Sequence, residues 1–376
     1  MSTGLSTDRQ LACTPLHDWH AAQGARLVDF AGWSMPVQYT SIVEEHLATR
    51  HKVGLFDISH MGRLEISGPT ATAYLDRLLT RRVTDMKPGQ IRYSLVCSEA
   101  GGILDDILVY RLNEDVGQPA YMLVVNASNR KKIIQWLEDH TQKDISLEDQ
   151  TLTTAMLAVQ GPQAVKIVQD LFDWNLHALH YYTGNSVKLG NETCYLSRTG
   201  YTGEDGCEII CDPQTALGIW EKLAAAALHI GGKVAGLAAR DTLRLEAGMP
   251  LYGHELDESI NPVQAGLAFA VNLRKRAFVG RDAIANIQSQ GGQPVRVGLQ
   301  LDSRRVAREG CQLLNQGKEI GTVTSGTFSP TFDRPIAMGY VHESVAAVGT
   351  PLEVNIRGQK QMATIVPLPF YQRSNT

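Results

Sequence analysis

The sequence predicts an α+β protein in which antiparallel sheets and amphipathic helices precede an all-β C-terminal domain. Three observations carry this. Apolar runs of strand length at 91–98, 103–112 and 121–127 have connections too short for a crossover helix, so they pair as an antiparallel meander. Helical periodicity alternates with such runs up to about residue 287. Beyond a Gly- and Gln-rich stretch at 288–294, only short strands with Gly and Pro turns follow, the pattern of a small barrel or sandwich.

The elements follow in chain order. Thr14 and Pro15 read as N-cap and first position of a short helix ended by Gly24. Helical spacing covers 41–52, and 53–66 turns strand-like. A helix at 70–79 precedes the meander, whose first connection is Glu99-Ala100-Gly101-Gly102 and whose second is a polar loop at 113–119. An amphipathic helix at 129–140 turns Ile133, Ile134 and Leu137 inward. The pattern then restarts: strand 152–159, helix 162–171, strands 186–198 and 206–211, and an Ala-rich helix 214–229. Gly236 to Gly248 form another helix, and strands are expected at 295–301, 319–324 and 338–341. The implied division is an α+β region at 1–150, a second at 151–287 and an all-β, barrel-like domain at 295–376.

Composition bounds the function. With 376 residues, 43% hydrophobic and 20% charged, the chain is an ordinary globular one that exceeds a single core. A net charge of -4 carries no nucleic-acid or membrane footprint. No apolar run reaches the roughly 18 residues of a membrane span. The polar segment 1–12 lacks a secretory apolar region and has Arg9 as its one basic residue, so a cytoplasmic protein, or a mature mitochondrial one, is expected. Six scattered cysteines without a CxxC pair read as buried, reduced thiols.

The most informative stretch runs from Gly101 to Tyr110, where Asp105 and Asp106 sit inside an apolar strand. Strand alternation places Ile103, Asp105, Ile107 and Val109 on one face and Leu104, Asp106, Leu108 and Tyr110 on the other. A buried carboxylate needs a partner. The pair therefore either ends the strand at a turn or serves chemistry, and the apolar residues on both sides favour the second.

Arg198 to Glu208 hold three glycines, but strand-like residues follow them, so the glycines shape a hairpin rather than a phosphate loop. That loop presents Tyr201, Glu204 and Glu208, the last another carboxylate in an apolar strand. Arg240, Asp241 and Arg244 have the spacing of a salt-bridged helix surface, and Arg240 at the helix start equally suits an anion clamp. His177 and His180 lack a third ligand, so no metal site is expected. Neither a GxSxG elbow nor a Walker motif occurs.

Several motifs occur in the order and spacing of one family: Asp29-Phe30-Ala31-Gly32-Trp33, Phe56-Asp57-Ile58-Ser59-His60-Met61-Gly62, Gly101-Gly102-Ile103-Leu104-Asp105-Asp106, Gly200-Tyr201-Thr202-Gly203-Glu204, Gly236 to Gly248, and Thr324-Ser325-Gly326-Thr327-Phe328-Ser329-Pro330. From about Thr14 to Arg373 the chain resembles the aminomethyltransferases, the T-proteins of the glycine cleavage system. The resemblance implies a three-domain cloverleaf with tetrahydrofolate as co-substrate in a central channel, and no metal, flavin or pyridoxal phosphate. It implies lipoylated H-protein as partner, whose aminomethyl group gives its methylene carbon to tetrahydrofolate. The family's catalytic carboxylate falls on Asp106, and its folate-binding positions on Met61, Tyr93, Tyr110, Val124, Asn126, Tyr201, Glu208, Arg240 and Arg373. Asp106 would stabilise a cationic iminium near the folate nitrogens, Glu208 would accept from the pterin edge, and the arginines would meet the glutamyl tail, or one of them the pterin end.

Two alternatives stand beside this reading. A folate-dependent demethylase could use the same fold, although the intact Gly101–Asp106 and Gly200–Glu204 motifs disfavour it. A non-transferase folate-binding accessory protein carries a KGCYxGQE motif where this chain has Tyr252-Gly253-His254-Glu255-Leu256-Asp257, lacking both Cys and Lys.

Overall fold

A computed structural model describes residues 10–112, 117–141, 143–172, 174–190, 192–274 and 277–373. The 113–116 part of the expected polar loop, and most of segment 1–12, lie outside the described residues. Two sheets lie face to face between helices. The first has six strands in the order Gly184–Leu189, Glu192–Ser197, Gly206–Cys211, Ala155–Gln160, Gly54–Asp57 and Lys233–Val234. Its pairs are antiparallel except the last, which is parallel. The second is a five-stranded antiparallel sheet in the order Ile91–Cys97, Ile103–Arg111, Ala120–Val125, Gly62–Ser67 and Ser146–Asp149.

Period-2 alternation decides which side chains each face buries. On the outer face of the six-stranded sheet, Leu55, Leu157, Val159 and Ile209 pack with Val165 and Val168 of helix Ala164–Phe172 and Trp220 and Leu223 of helix Pro213–His229. On the outer face of the five-stranded sheet, Leu64, Ile66 and Val109 pack with Leu75 of helix Ala71–Leu78 and Ile133 and Leu137 of helix Arg130–Asp139. The inner faces meet each other: Phe56, Met156, Ala158 and Ile210 from one sheet join Ile91, Tyr110, Met122 and Val124 from the other. The strand Gly54–Asp57 thus belongs to the sheet otherwise built after residue 150, and the sheets interleave along the chain.

After helix Arg281–Gln290 the chain closes a six-stranded antiparallel barrel from Pro294–Leu301 to Gln359–Val366. Its interior holds Val297, Leu299, Leu313, Val341, Val354 and Ile365. The α+β class and the C-terminal barrel agree with the sequence reading.

Local differences have physical reasons. Residues 288–290 are the last turn of a helix rather than linker, because Gly291, at φ 61°, is the helix stop. The expected strand 186–198 is a hairpin of two strands turned at Gly190, φ 68°. The first helix is His17–Ala22, since Thr14 uses its side-chain oxygen on Leu16 N at 3.3 Å and its carbonyl on His17 N, forming a turn before the helix. A bulge where Ile103 and Asp105 pair with Cys97 and Val96 breaks the expected alternation. Leu104 consequently joins the outer core and Ile103 a separate cluster with Leu95 and Cys97. The glycines before the bulge are required: Gly101 has φ 87°, and a Cβ on Gly102 would lie 1.9 Å from the Glu258 carbonyl.

Helix Leu237–Glu246 joins the sheets to the barrel. Leu245 packs with Ile336 and Met338 of the barrel. Arg244 is buried, not a surface residue: it reaches Glu255 at 2.7 Å and Ser325 Oγ at 2.8 Å. Glu246, fully buried, accepts from Arg50 Nη2 at 2.9 Å, His46 Nε2 at 3.1 Å, Ser329 Oγ at 2.5 Å and Thr331 Oγ1 at 2.7 Å. Arg50 also reaches Glu204 at 2.8 Å and the Thr202 carbonyl at 2.8 Å, and stands 3.8 Å from the Tyr371 ring centre.

Burial opposes the Glu246 charge, but these donors and the Arg50 cation overcome it and hold the carboxyl down to about 2. A depressed carboxylate stabilises the fold above its ordinary pKa and loses that contribution as pH falls through its folded value. Glu246→Gln is therefore expected to destabilise by about 3–5 kcal/mol near pH 7, because Arg50 is left buried and half-paired. In urea unfolding at a series of pH values, the gap from the unsubstituted protein should close between about pH 4.5 and 2; a gap of the same size at both ends would refute the assignment.

Candidate functional site

The bulged strand Ile103–Arg111 delivers two unequal carboxylates. Asp105 is sealed, accepting from Asn126 Nδ2 at 2.8 Å, Asn126 N at 3.1 Å and Asn129 Nδ2 at 2.7 Å. Asp106 remains partly exposed on the inner side, accepting from the Tyr93 hydroxyl at 3.1 Å and from Asn126 Nδ2 at 2.8 Å. One Asn126 amide thus bridges the pair. A single 3₁₀ turn, Ala127–Asn129, sets Asn126 and Asn129 three apart so that both side chains reach Asp105.

Burial raises both carboxyls, and for Asp105 the neighbouring Asp106 charge adds to the effect. The Asn126 and Tyr93 donors and the more distant Arg296 cation of the barrel work against the rise at Asp106. These two groups titrate as a linked pair, and Asp106 is the member whose burial is offset in part by a cation, Arg296.

A second polar group forms across the same inter-sheet space. Glu208 is buried and accepts from Thr199 Oγ1 at 2.5 Å. Burial raises its carboxyl, opposed by the Thr199 donor and by Arg240. The Arg240 guanidinium lies 5.0 Å from the Tyr201 ring centre, and its Nη1 is buried without a hydrogen-bond partner. Tyr201 is pinned through its hydroxyl to the Pro250 carbonyl at 2.5 Å. The Tyr110 hydroxyl is likewise buried and unpartnered, with Glu208, Ser197 and Thr199 as polar neighbours. Met61, Tyr110 and Val124 share the inter-sheet cluster that also holds Ala239 and Leu243, on either side of Arg240.

The predicted residues accordingly fall into linked groups. Tyr93, Asp106 and Asn126 are hydrogen-bonded together. Tyr201 and Arg240 stack, with Glu208 facing Arg240 electrostatically, and Met61, Tyr110 and Val124 supply apolar wall. Arg373 stands apart: it pairs with Asp205, at the end of the 198–205 loop, at 3.2 Å and lies 5.1 Å from the Tyr181 ring centre.

Sequence reasoning missed Asn129, Thr199, Arg296 and Phe269. Asn129 could have been found, because an Asn three residues beyond a predicted site Asn at a strand end suits one turn. Arg296 carried no local signal. Phe269, 65% exposed, stacks on Tyr93 with centroids 5.9 Å apart. It lines a surface cleft of about 580 Å³ with Arg81, Val271 and Ile284, and none of the predicted residues lines that cleft. Among the described residues no cluster of His, Cys, Asp and Glu is arranged to hold a metal, and no helix is long and apolar enough to cross a membrane.

Chemically, the site offers a partly exposed carboxylate held by two donors, a second buried carboxylate, an unsatisfied guanidinium and three tyrosines. It suits a flat polar-aromatic ligand with hydrogen-bond donors at one end.

Comparison with known proteins is consistent along the whole chain. Residues 16–275 match the GCVT N-terminal domain, and residues 295–372 match the glycine cleavage T-protein C-terminal barrel domain. An aminomethyltransferase of Geobacillus thermodenitrificans is 44% identical over 366 residues, covering 96% of this chain and 99% of that one. One from Synechococcus elongatus is 42% identical, covering 98% and 99%. The crystal structure of glycine cleavage system aminomethyltransferase T from Bartonella henselae superposes with a TM-score of 0.89 at 37% identity, covering 96% and 98%.

Because Asn126 Nδ2 bridges both carboxylates, Asn126→Ala should destabilise the protein by about 1–3 kcal/mol. Loss of a donor to the ionised form also moves the titration of the Asp105–Asp106 pair to higher pH. Carboxyl 13C shifts followed against pH would show this, and an unmoved midpoint would dismiss the bridge.

Proposed function

The chain belongs to the aminomethyltransferase family of glycine cleavage T-proteins, and we propose that it moves the methylene carbon of an aminomethyl-lipoyl group on H-protein to tetrahydrofolate. The products are 5,10-methylenetetrahydrofolate, ammonia and dihydrolipoyl H-protein. The observation that carries the reading is Asp106, a partly exposed carboxylate clamped by Tyr93 and Asn126 on the inner face where the two sheets meet.

Tetrahydrofolate fits this environment. Glu208 accepts from the amino-pyrimidinone edge of the pterin, and Arg240, whose Nη1 lacks a partner, donates to its acceptors. Met61, Val124, Tyr110 and Tyr201 supply apolar and aromatic surface for the rings. Arg373 meets the glutamyl carboxylates in exchange for its pairing with Asp205.

The chemistry then follows from charge. The bond from the methylene carbon to the lipoyl sulfur breaks and leaves a cationic iminium; one folate nitrogen attacks that carbon, and the second closes on it as the carbon–nitrogen bond to the departing ammonia breaks. Ionised Asp106 stabilises that cation and orients the nitrogen. Closure between the two folate nitrogens releases their two protons, one to the departing ammonia and one to the lipoyl sulfur. Asp106 is positioned to relay one of them. A folate aryl amine is a weak base and needs little help to lose its proton, so the electrostatic role dominates. Asp105 holds Asn126, and through it Asp106, in place.

The test is a reconstituted assay with aminomethylated H-protein and tetrahydrofolate, following methylenetetrahydrofolate and ammonia; absence of folate-dependent ammonia release defeats the proposal. Asp106→Asn should lower turnover by about two orders of magnitude or more with folate affinity little changed. In contrast, Asp105→Asn turns an amide toward three donors, so its main effect should be a lower unfolding midpoint. The reverse ranking in turnover would exchange the two roles.

A further inference from the structure

We propose that His60 is a ligand-binding residue, hydrogen-bonding the pterin end of the bound folate beside Arg240. The inference rests on the folate reading above and adds a contact that neither the Asp pair nor the Glu208 group supplies.

The first observation is an unmet need. His60 is 2% exposed, yet its ring takes part in none of the protein's hydrogen bonds among the described residues, and Nδ1 is sealed without a partner. A buried imidazole nitrogen left unsatisfied is destabilising. The turn carrying the ring is held on both sides. Ser59 N donates to Asp57 Oδ1 at 2.9 Å, and Ser59 Oγ accepts from Met156 N at 3.0 Å. Arg63 Nη1 donates to the Ser59 carbonyl at 3.1 Å and to the Met61 carbonyl at 2.6 Å. The Phe30 ring then meets the imidazole edge-on at 5.5 Å and 88°.

The second observation is place. Ile58 and Met61, on either side of His60, pack in the inter-sheet cluster with Tyr110 and Val124. Ala239 and Leu243, on either side of Arg240, pack in the same cluster. Two buried, unpartnered polar atoms, His60 Nδ1 and Arg240 Nη1, thus belong to residues flanking one cluster, close enough for the Arg240 charge to act on the imidazole. Burial first, and then the Arg240 charge, press the imidazole well below its ordinary pKa, so it is neutral at physiological pH. A neutral imidazole carries one donor and one acceptor, whereas Arg240 only donates. Together with the acceptor Glu208, they complement a ring edge on which donors and acceptors alternate, which is the pterin and not the glutamyl carboxylates.

The test uses the full-length protein, titrated calorimetrically with tetrahydrofolate and with 6-methyltetrahydropterin. His60→Phe keeps a flat ring against Phe30 and removes both nitrogens. Its ligand-free unfolding midpoint should be unchanged or higher, while its dissociation constants for both ligands rise about tenfold, roughly 1.4 kcal/mol. A residue that merely fills space would give the same midpoint and unchanged affinities. His60→Gln, which restores a donor and an acceptor, should recover part of the loss. Independently, the side-chain 15N resonances of His60 in the unsubstituted protein should move on adding the tetrahydropterin. Unchanged pterin affinity in His60→Phe, or an unmoved His60 resonance if that variant fails to fold, overturns the inference. If the unsubstituted protein binds neither ligand, the folate reading fails and takes this inference with it.

Discussion

Arg50 and Glu246 form the ion pair on which the rest of the arrangement depends. Both are buried, and each offsets much of the other's desolvation, with Glu204 sharing Arg50, and with His46, Ser329 and Thr331 donating to Glu246. The pair collects four parts of the chain: helix Ile42–His51, helix Leu237–Glu246, the 198–205 loop through Glu204 and Thr202, and the barrel through Ser329 and Thr331. The C-terminal tail joins as well, by Tyr371 N donating to the Glu246 carbonyl at 2.7 Å and by its ring against Arg50. Apolar contact alone would let these parts slide, whereas charge-assisted hydrogen bonds have direction.

That constraint reaches the site because one helix serves both. Arg240 lies on helix Leu237–Glu246, about one turn before Arg244 and less than two before Glu246. Fixing Arg244 on Glu255 and Ser325, and Glu246 on Arg50, fixes where Arg240 emerges beside Tyr201 and Glu208. The inner faces of two sheets supply rigid walls, and the carboxylate pair stands on a bulged strand whose glycines admit the Glu258 backbone closely. The protein thus keeps unsatisfied polar atoms at Arg240, Tyr110 and His60, at a cost in stability, within a frame too well tied to relax around them.

Much of this was legible in the chain. Strand and helix positions followed from periodicity, and Asp105 and Asp106 declared themselves as carboxylates where an apolar strand should have none. Alternation correctly put Asp106 on the face of Tyr110. It failed at Leu104, because a bulge depends on partner register and not on the strand's own pattern. The spacing of Arg240, Asp241 and Arg244 left a surface and a clamp equally open. Only packing showed that Arg244 is buried against the barrel while Arg240 stays unsatisfied.

The sequence by itself determined the α+β class, the barrel, the family and the residues that carry charge in apolar surroundings, because these depend on local period and on motif spacing. The tertiary structure decided which sheet each strand joins, which carboxylate is sealed and which is open, and that Arg296, Thr199 and Asn129 complete the site. The reason is that hydrogen-bond satisfaction and charge compensation are set by neighbours in space. Arg296 and Asp106 are 190 positions apart in the chain, and no local pattern encodes their approach.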